Sequence, residues 1–449
     1  MSAKENPKRL NVIWIFGDQH RGQALGCAGD ANLTTPNIDR MATEGVHFTR
    51  AVSGFPLCCP YRGSLITSRY PHKCVPGHEY PLDSNLPTVA AAFRDAGYHT
   101  AYFGKWHLAG WKECDGRAAM YIVPPEQRGG FDVWTGYDNN NRQWDCWVHG
   151  GVGDEAFHRR LDGYETDALT DMLIDHLRSR SENGQRDQPF FAALSVQPPH
   201  GPYVAPESWM SRHTPGDILL RPNVPNVERV VAQARRDLAG YYAQIENIDW
   251  NVGRIRRALE ETGQAENTLL IFFSDHGDQH GSHGQFHKMS PYEEAIRVPM
   301  VIAPARADYR FKSAASGVPV NHVDMAPTTL GLCGIETPEW MSGTDYSGHF
   351  IRGREPAEPP RDSAYLQSVI PTGHGDSVDR PWRGVVTRDG WKYTVLPGQP
   401  FMMFNLNEDP YEQVNLAYNT RFRAERRRLQ ELLAGWIADT DDEFELPEV

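Results

Sequence analysis

The segment Cys58-Cys59-Pro60-Tyr61-Arg62 carries the most specific pattern of the chain. Counted from Cys58, a proline follows two residues later and an arginine four residues later. Counted from Cys59, the proline is already the next residue, so Cys58 fits the Cys-x-Pro-x-Arg spacing and Cys59 does not. Cys58 is therefore the cysteine that this pattern singles out.

The composition predicts a globular protein with a full hydrophobic core. Hydrophobic residues make up 40% of the 449 residues, enough for one large domain or two unequal ones. The formal net charge of −13 comes without any block of like charges, which argues against nucleic-acid binding as the main function. The seven cysteines are an odd, scattered set and do not indicate a disulfide framework.

The sequence shows neither a secretory signal nor a membrane span. Residues 1–9 lead into one short apolar run at 12–16, without the apolar stretch and small-residue cleavage site of a signal peptide. A membrane-spanning helix needs about 20 apolar residues, and no segment approaches that length. We expect a soluble, cytoplasmic protein with no membrane or nucleic-acid partner, and a periplasmic one if a signal has been removed.

Short apolar runs alternate with longer amphipathic ones, the pattern of an α/β domain with a mostly parallel sheet. Buried strands are predicted at residues 12–16, 100–103, 190–196, 268–273 and 298–302. Helices are predicted at residues 87–96, 164–177, 227–262 and 324–332, the last one capped by Asn321 and His322.

The C-terminal part changes character after a proline-rich and charged crossing at residues 352–361. Three short strands, at 384–387, 391–395 and 402–405, are separated by turn residues and suggest an antiparallel sheet. A final helix is predicted at 422–438. We therefore predict a large α/β domain at residues 1–355 and a small α+β subdomain at residues 356–449.

Three predicted strands end in polar residues that can carry chemistry. The strand at 12–16 leads to Asp18 and Gln19, the strand at 190–196 leads to His200, and the strand at 268–273 leads to Asp275 and His276. In open α/β sheets, ligands bind beyond the carboxyl ends of the strands, so these residues are predicted to converge.

Asp18, Gln19, Asp275 and His276 together suit a divalent cation, because they offer hard oxygens and one imidazole. Each aspartate alone is equally explained as the cap of a following helix or turn. The set as a whole, joined to the cysteine motif, favours a metal site.

Two further segments add positive charge. Lys105 and His107 follow the strand at 100–103 and lie on one face of an extended segment, where the lysine supplies charge and the histidine exchanges protons near neutral pH. Lys288 ends a loop rich in glycine and histidine, at residues 281–288, and such loops approach ligands closely. The alternatives are a solvated lysine, a structural histidine and a surface loop.

Taken together, these residues resemble a type I, formylglycine-dependent sulfatase of the alkaline-phosphatase-like superfamily. The resemblance extends from about residue 10 to residue 417 and implies that superfamily's large domain with a small C-terminal subdomain. It is carried by motifs at residues 18–19, 35–39, 45–49, 58–69, 104–108, 198–200, 274–277, 284–288, 292–299, 324–328 and 405–417.

The resemblance implies that a maturation enzyme, the formylglycine-generating enzyme, oxidises Cys58 to formylglycine, whose hydrate is the nucleophile. It implies a cation, usually Ca²⁺ with Mn²⁺ or Mg²⁺ as alternatives, held by Asp18, Gln19, Asp275, His276 and the modified residue 58. The remaining implied roles are support of the aldehyde by Arg62, sulfate binding by Lys105 and Lys288, proton transfer by His107, and protonation of the ester oxygen by His200.

The chain departs from the usual motifs at two places. Tyr61 stands where the family usually has serine, and Asp18-Gln19 and Asp275-His276 stand where many arylsulfatases have Asp-Asp and Asp-Asn. Both variants leave the cysteine, proline and arginine of the maturation motif unchanged.

The implied reaction is hydrolysis of a small-molecule or saccharide sulfate monoester to an alcohol and inorganic sulfate. One alternative is a phosphonate monoester or phosphodiester hydrolase on the same fold; such enzymes tend to lack the Lys-x-His pair, so Lys105 and His107 favour sulfate. A non-catalytic binding protein is the other alternative, and the presence of every expected site residue argues against it.

Residues 111–153 are predicted to shape the mouth of the pocket. They contain aromatic and amide side chains that suit sugar rings and aryl groups equally well: Trp134, Tyr137, Asn139, Asn140, Asn141, Trp144, Trp147 and His149. The loop at residues 371–381, with His374 and Asp376, is predicted to reach the same mouth from the small subdomain.

Overall fold

The computed structural model describes residues 9–308, 310–354, 359–373 and 378–448. Ten strands form the larger of two sheets: β1 (Asn11–Asp18), β2 (Val46–Phe48), β3 (His99–Lys105), β4 (Val133–Tyr137), β5 (Trp147–Gly150), β6 (Phe157–Arg160), β7 (Phe190–Pro199), β8 (Thr268–Ser274), β9 (Met300–Pro304) and β10 (Ala314–Ser316). The smaller sheet consists of β11 (Ser363–Ser368), β12 (Trp382–Thr387), β13 (Trp391–Leu396) and β14 (Gln399–Asn405).

The helices of the described ranges, short 3-10 turns aside, are α1 (Pro36–Glu44), α2 (Cys58–Thr67), α3 (Val89–Asp95), α4 (Glu165–Glu182), α5 (Glu207–Met210), α6 (Glu228–Glu261), α7 (Glu293–Ile296), α8 (Met325–Leu332) and α9 (Arg423–Asp439). Among these ranges, no helix has the length and hydrophobicity to cross a bilayer.

The large sheet has the order β10-β2-β9-β8-β1-β7-β3-β4-β5-β6. Its centre, from β8 through β1, β7 and β3 to β4, is parallel, whereas β9, β5 and β6 run antiparallel to neighbouring strands. The carboxyl ends of the parallel strands therefore meet at one edge of the sheet, which is where ligands bind in such folds.

Both faces of the large sheet are covered, as the continuous apolar runs of its strands require. Successive residues of β1 alternate between the two faces: Val12, Trp14 and Phe16 pack in the buried cluster that includes residues of α3. Ile13 and Ile15 pack in the opposite cluster, against the apolar face of α6. The result is a helix–sheet–helix arrangement around one central sheet.

The small sheet is antiparallel in the order β11-β12-β13-β14 and packs against α9. Tyr365, Val385 and Leu429 belong to the buried cluster between them. The backbone N–H of Gln367 on β11 donates to the carbonyl of Gly54 at 2.7 Å, four residues before α2. This bond attaches the small sheet to the segment that carries the cysteine motif.

The predicted fold class is confirmed: a mostly parallel sheet with helices on both faces is accompanied by a small antiparallel sheet. The predicted helix at 324–332 begins as a 3-10 turn, and its cap forms through a 2.7 Å bond from the His322 N–H to Asn321 Oδ1. Strands β2, β4, β5, β6, β10 and β11 were not predicted. The predicted domain boundary at 355/356, part of the crossing at 352–361, and His374 and Asp376 lie outside the described residues.

Candidate active site

The adjacent ends of β1 and β8 bring two carboxylates together. Gly17 of β1 pairs with Ser274 of β8, so Asp18 and Asp275 follow side by side at the carboxyl edge of the sheet. Both carboxylates are fully buried. The backbone N–H of Gln19 donates to Asp275 Oδ1 at 3.0 Å, which fixes one chain end against the other.

Cys58 is the first residue of α2, a helix whose residues are all buried, and its sulfur points at this pair of strand ends. Its Sγ lies 3.2 Å from Lys288 Nζ, 3.2 Å from His276 Nε2 and 3.5 Å from Asp18 Oδ1. A helix N-terminus favours negative charge, so its position suits an anionic group. The sulfur of residue 58 is thus surrounded by groups from distant parts of the sequence, since His276 and Lys288 both lie more than 200 positions away from it.

Arg62, one turn later on α2, holds the carboxylates in place. Its Nε donates to Asp275 Oδ2 at 3.1 Å, and its Nη2 lies 3.5 Å from Asp18 Oδ2. Its Nη1 donates to the carbonyl of Lys105 at 2.9 Å and to Ser195 Oγ at 2.8 Å. The planar guanidinium therefore joins β1, β3, β7 and the end of β8, which a flexible lysine could not do in the same way.

Lys105 ends β3 and turns its ammonium into the site, where Nζ is 2.5 Å from Asp18 Oδ2. His107 follows two residues later with a positive φ of 57°, a strained conformation for a residue with a β-carbon. Within the described part of the chain, neither ring nitrogen of His107 has a hydrogen-bond partner. Burial, together with Lys105 and His78, holds the pKa of His107 well below its usual value, so the ring is neutral at pH 7.

The donor set at the strand ends fits a divalent cation. Ligand atoms of Asp18, Cys58, Asp275 and His276 all lie within 4.8 Å of one another. His276 Nδ1 lies 3.0 Å from the Gly277 carbonyl, and an N–H at this position leaves the Nε2 lone pair facing the carboxylates, the orientation of a metal-binding histidine. Buried oxygens and one imidazole therefore form a candidate cation site at the strand ends.

Gln19 lies at the rim of the same group, with a φ of 71°. Its side-chain amide N–H donates to Asp278 Oδ2 at 2.5 Å, and Tyr203 Oη donates to the same oxygen at 2.6 Å. Asp278 directly follows the motif at residues 274–277, and the sequence alone assigns it no role. The structure shows that it orients the Gln19 amide.

The charges of the site shift its pKa values in opposite directions. Burial alone would raise the pKa of Asp18, but the cations around it, led by Lys105, hold that pKa well below the usual value. Burial and Asp18 oppose ionisation of Cys58, yet Lys288, Lys105 and His276 outweigh them and lower the pKa of the thiol. The site therefore favours negative charge on residue 58 despite its burial.

His200 and Lys288 form a hydrogen-bonded pair on the other side of residue 58. Lys288 Nζ lies 3.3 Å from His200 Nε2, while His200 Nδ1 lies 2.8 Å from the Gly201 carbonyl. Burial and the neighbouring ammonium of Lys288 lower the pKa of His200. The ring is therefore neutral and accepts from Lys288.

A cavity of about 330 Å³ opens directly onto the side chains around Cys58. A separate cavity of about 370 Å³ is lined by other parts of the chain. The walls of the smaller cavity include five of the six proposed catalytic side chains, and Arg62 lies beneath them. The lining residues are Gln19, Cys58, His78, Lys105, His107, Glu113, Asn139, Asn141, His200, His287 and Lys288.

Of the aromatic and amide side chains predicted at the mouth of the pocket, two amides line the cavity and none of the predicted aromatics is among its lining residues. Asn139 and Asn141 line the cavity as predicted, but Trp134, Tyr137 and His149 are buried in the packed interior. His78 and Glu113 line it without having been predicted. Neither belongs to a recognisable motif, and only the tertiary fold brings them here.

The fold and the site define a class of protein: an alkaline-phosphatase-like sheet whose carboxyl edge carries buried carboxylates, lysines and histidines around one cysteine. Comparison with known proteins gives the family. Residues 10–335 match the family described as Sulfatase, and residues 281–438 match the N-sulphoglucosamine sulphohydrolase C-terminal family. The chain belongs to the sulfatase family and is a sulfuric ester hydrolase.

Three relatives illustrate the similarity. An ulvan-active sulfatase of Formosa agariphila is 33% identical over 464 residues, covering 99% of this chain and 84% of that one. The structure of yidJ from Bacteroides fragilis has a TM-score of 0.84 at 27% identity, covering 99% and 98%. A protein solved with its substrate D-glucosamine-2-N,6-O-disulfate shares the fold, with a TM-score of 0.82 at 22% identity, covering 97% and 98%.

Proposed function

We propose that this enzyme hydrolyses a sulfate monoester through a formylglycine made from Cys58 and a bound divalent cation. The observation that carries the proposal is the position of Cys58 Sγ, within 3.5 Å of Asp18, His276 and Lys288. Carboxylate, imidazole and ammonium groups meet there, buried at the base of the 330 Å³ cavity. Such a preorganised environment stabilises charge as it develops during displacement at sulfur.

Asp18, Gln19, Asp275 and His276 would hold the cation together with the modified residue 58. The hard oxygen donors favour Ca²⁺, with Mn²⁺ or Mg²⁺ as alternatives. When both groups are in place, the formylglycine supplies the nucleophile and the cation supplies Lewis acidity beside it. Arg62 keeps the two carboxylates at their spacing by bonding to Asp275 and facing Asp18.

The remaining side chains act on the sulfate group and on protons. Lys105 and Lys288 place two ammonium charges where the sulfuryl oxygens bind. His107, neutral and without a hydrogen-bond partner among the described residues, accepts a proton at residue 58. His200 faces the ester oxygen. Its Nε2 accepts from Lys288, so the proton that the leaving alcohol needs comes from the Lys288 ammonium through this hydrogen bond, and Lys288 recovers a proton from solvent after the alcohol leaves.

The cavity wall favours a hydroxyl-rich substrate, and we propose a sulfated saccharide. Glu113 Oε1 accepts from the amides of Asn139 at 2.5 Å and Asn141 at 3.2 Å, so the amide groups are held in fixed orientations. Fixed amides and a carboxylate bind sugar hydroxyls by directed hydrogen bonds. The ulvan-active relative and the relative solved with a glucosamine disulfate support the same substrate class.

Two further elements of the proposal concern the cell. Formation of formylglycine requires a formylglycine-generating enzyme as a partner, which recognises the Cys58–Pro60–Arg62 pattern. We propose that the mature protein acts in the cytoplasm. Fractionation of cells that produce the untagged protein would test the location.

Relative rates on two matched substrates test the reaction. Fully matured, Ca²⁺-loaded enzyme is assayed on an aryl sulfate and on an aryl phosphonate monoester with the same leaving group. We expect kcat/KM for the sulfate to exceed that for the phosphonate at least tenfold, because Lys105 and His107 face the transferred group. A reversed preference would establish the phosphonate monoester hydrolase instead.

A further inference from the structure

A second group of side chains that could bind a metal lies next to the active site. It has no residue in common with the carboxylate site, although Cys59 is adjacent in sequence to Cys58. It consists of Cys59, His78 and His107. Cys59 Sγ and His78 Nδ1 are 3.9 Å apart, and ligand atoms of all three residues lie within 4.8 Å of one another. Ligands of a tetrahedral zinc ion, at about 2.3 Å for sulfur and about 2.0 Å for nitrogen, are about 3.5 Å apart. Small movements would therefore complete the geometry.

Cys59 and His78 are arranged as ligands by the residue that follows His78. Burial and the neighbouring Cys58 raise the pKa of the Cys59 thiol, and the backbone N–H of Glu79, which donates to Cys59 Sγ at 3.4 Å, offsets this in part, so an ion has to displace the thiol proton when it binds. The Glu79 carboxylate lies 3.7 Å from His78 Nε2, on the opposite side of the ring from the sulfur. At 3.7 Å the carboxylate is beyond hydrogen-bond distance, but its charge favours a proton on Nε2, the tautomer in which the Nδ1 lone pair faces Cys59.

His107 supplies the observation that points to a ligand. Its side chain is 4% exposed, and neither ring nitrogen has a hydrogen-bond partner in the described ranges. Buried polar groups are almost always satisfied, and the modified residue 58 would meet only one of the two nitrogens, so this imidazole, held at a positive φ, still lacks a second partner. His78 and His107 both line the 330 Å³ cavity, which gives an ion a route from solvent.

One thiolate and two imidazoles favour Zn²⁺ over Ca²⁺, which prefers oxygen ligands. We propose that Cys59, His78 and His107 form an inhibitory Zn²⁺ site. Binding transfers the Cys59 thiol proton to solvent and leaves the fourth coordination position facing the cavity. Because the ion occupies the His107 ring, proton transfer at residue 58 stops; this consequence rests on the proposed function of His107.

Cobalt binding tests the site without relying on turnover. The enzyme is matured, its Cys58 conversion is verified by mass spectrometry, and its carboxylate site is saturated with Ca²⁺. Co²⁺, the spectroscopic substitute for Zn²⁺, is then titrated. We expect one Co²⁺ per chain to give a thiolate-to-cobalt charge-transfer band that Zn²⁺ abolishes. Cys59→Ser should remove the band, and Cys114→Ser, at an exposed cysteine, should keep it.

Inhibition is measured on the same proteins. Zn²⁺ should inhibit wild-type, Ca²⁺-loaded enzyme, and Cys59→Ser should raise the half-inhibitory Zn²⁺ concentration at least tenfold while keeping kcat/KM without Zn²⁺ near the wild-type value. His78→Gln should weaken cobalt binding in the same way. This variant tests the site independently if Cys59→Ser prevents the conversion of Cys58 to formylglycine. A wild-type protein without the band, or a band that survives Cys59→Ser, would overturn the site. A band without inhibition would keep the metal site and refute the role of His107.

Discussion

At the residue scale, the site depends on two lysines whose charges are held by buried partners. Lys105 Nζ contacts Asp18 at 2.5 Å, and Lys288 Nζ contacts both residue 58 and His200. Both lysines are almost fully buried. Neither can adjust its position freely, so each supplies charge at a defined point without reorganisation.

Replacing one of these lysines should reduce catalysis far more than folding. For Lys288→Ala we expect kcat/KM on a sulfate ester to fall about 10²–10³-fold, because one preorganised cationic donor is lost. Steady-state kinetics measure the change, and Lys312→Ala, away from the cavity, serves as the control. Unchanged kcat/KM in Lys288→Ala would show that this lysine does not contact the sulfuryl group.

Motif residues and their neighbours differ in how far the sequence predicts them. Cys58, Lys105 and Lys288 could be found because their spacing repeats a family pattern. Glu113 and His78 reach the cavity from loops without a motif, and their positions depend on how those loops pack. Sequence spacing carries no information about such contacts, so only the folded chain shows them.

At the element scale, the position of Lys105 is set by the way β3 packs against β7. Gly104 has a φ of +105°, and a β-carbon there would lie 2.0 Å from the Ser195 carbonyl oxygen. Ser195 also accepts a hydrogen bond from Arg62. A side chain at position 104 would therefore push apart the two strands that carry Lys105 and support Arg62.

Gly104→Ala should consequently affect both stability and activity. Overpacking against backbone predicts a loss of roughly 1–3 kcal/mol in unfolding free energy, and displacement of Lys105 predicts a lower kcat/KM. Gly153→Ala is the matched control, since its φ is also positive, at +60°, but no atom lies within 4 Å of the added carbon. Equal effects of the two substitutions on kcat/KM would contradict the role assigned to β3.

His322, in the 3-10 turn before α8, links that helix to the segment before α2. Its Nδ1 accepts from the Gly54 N–H at 2.9 Å, and its ring packs 4.6 Å from that of Tyr61. Burial lowers the pKa of His322 to about 3. Tyr61 thus fills space against a buried neutral histidine, which gives a packing reason for a large side chain where the family usually has serine.

The lowered pKa of His322 makes stability depend on pH. Between about pH 6.5 and pH 3 the unfolded chain binds this proton and the folded chain does not, so stability falls as the pH falls below 6.5. At pH 5 the loss from this group is about 2 kcal/mol. Urea unfolding at pH 7 and pH 5 should show a smaller loss in His322→Gln than in wild type; equal losses would contradict the assignment.

The elements themselves were predictable where their pattern is long or strongly apolar. Strands β1, β7 and β8 are apolar on both faces, and α6 extends over 34 residues with an apolar stripe. Strand β6, with the sequence Phe157-His158-Arg159-Arg160, is mostly exposed and lacks both signals. It forms because a neighbouring strand offers an edge, a tertiary effect that local sequence does not encode.

At the scale of the whole molecule, the cation is expected to stabilise the fold as well as the reaction. Asp18 and Asp275 come from separate strands, so an ion that binds both joins β1 to the end of β8 only in the folded chain. Ca²⁺ at 100 times its dissociation constant should raise the unfolding free energy by about 2.7 kcal/mol.

Thermal unfolding of EDTA-treated enzyme, with and without added Ca²⁺, measures this effect. We expect the Ca²⁺-dependent rise in Tm to be smaller in Asp275→Asn and unchanged in Asp362→Asn, an exposed aspartate outside the site. Activity should return with Ca²⁺ in the same range as the rise in Tm. If added Ca²⁺ did not change the Tm of the wild-type protein, the carboxylates would not bind this ion.

The identity of residue 58 in active enzyme tests the whole account most directly. Mass spectrometry of the peptide that contains position 58, taken from enzyme of known specific activity, gives the fraction converted to formylglycine. We predict that activity rises in proportion to this fraction and that Cys58→Ala abolishes turnover. Full activity from enzyme whose Cys58 remains an unmodified thiol, or from Cys58→Ala, would contradict the proposed mechanism.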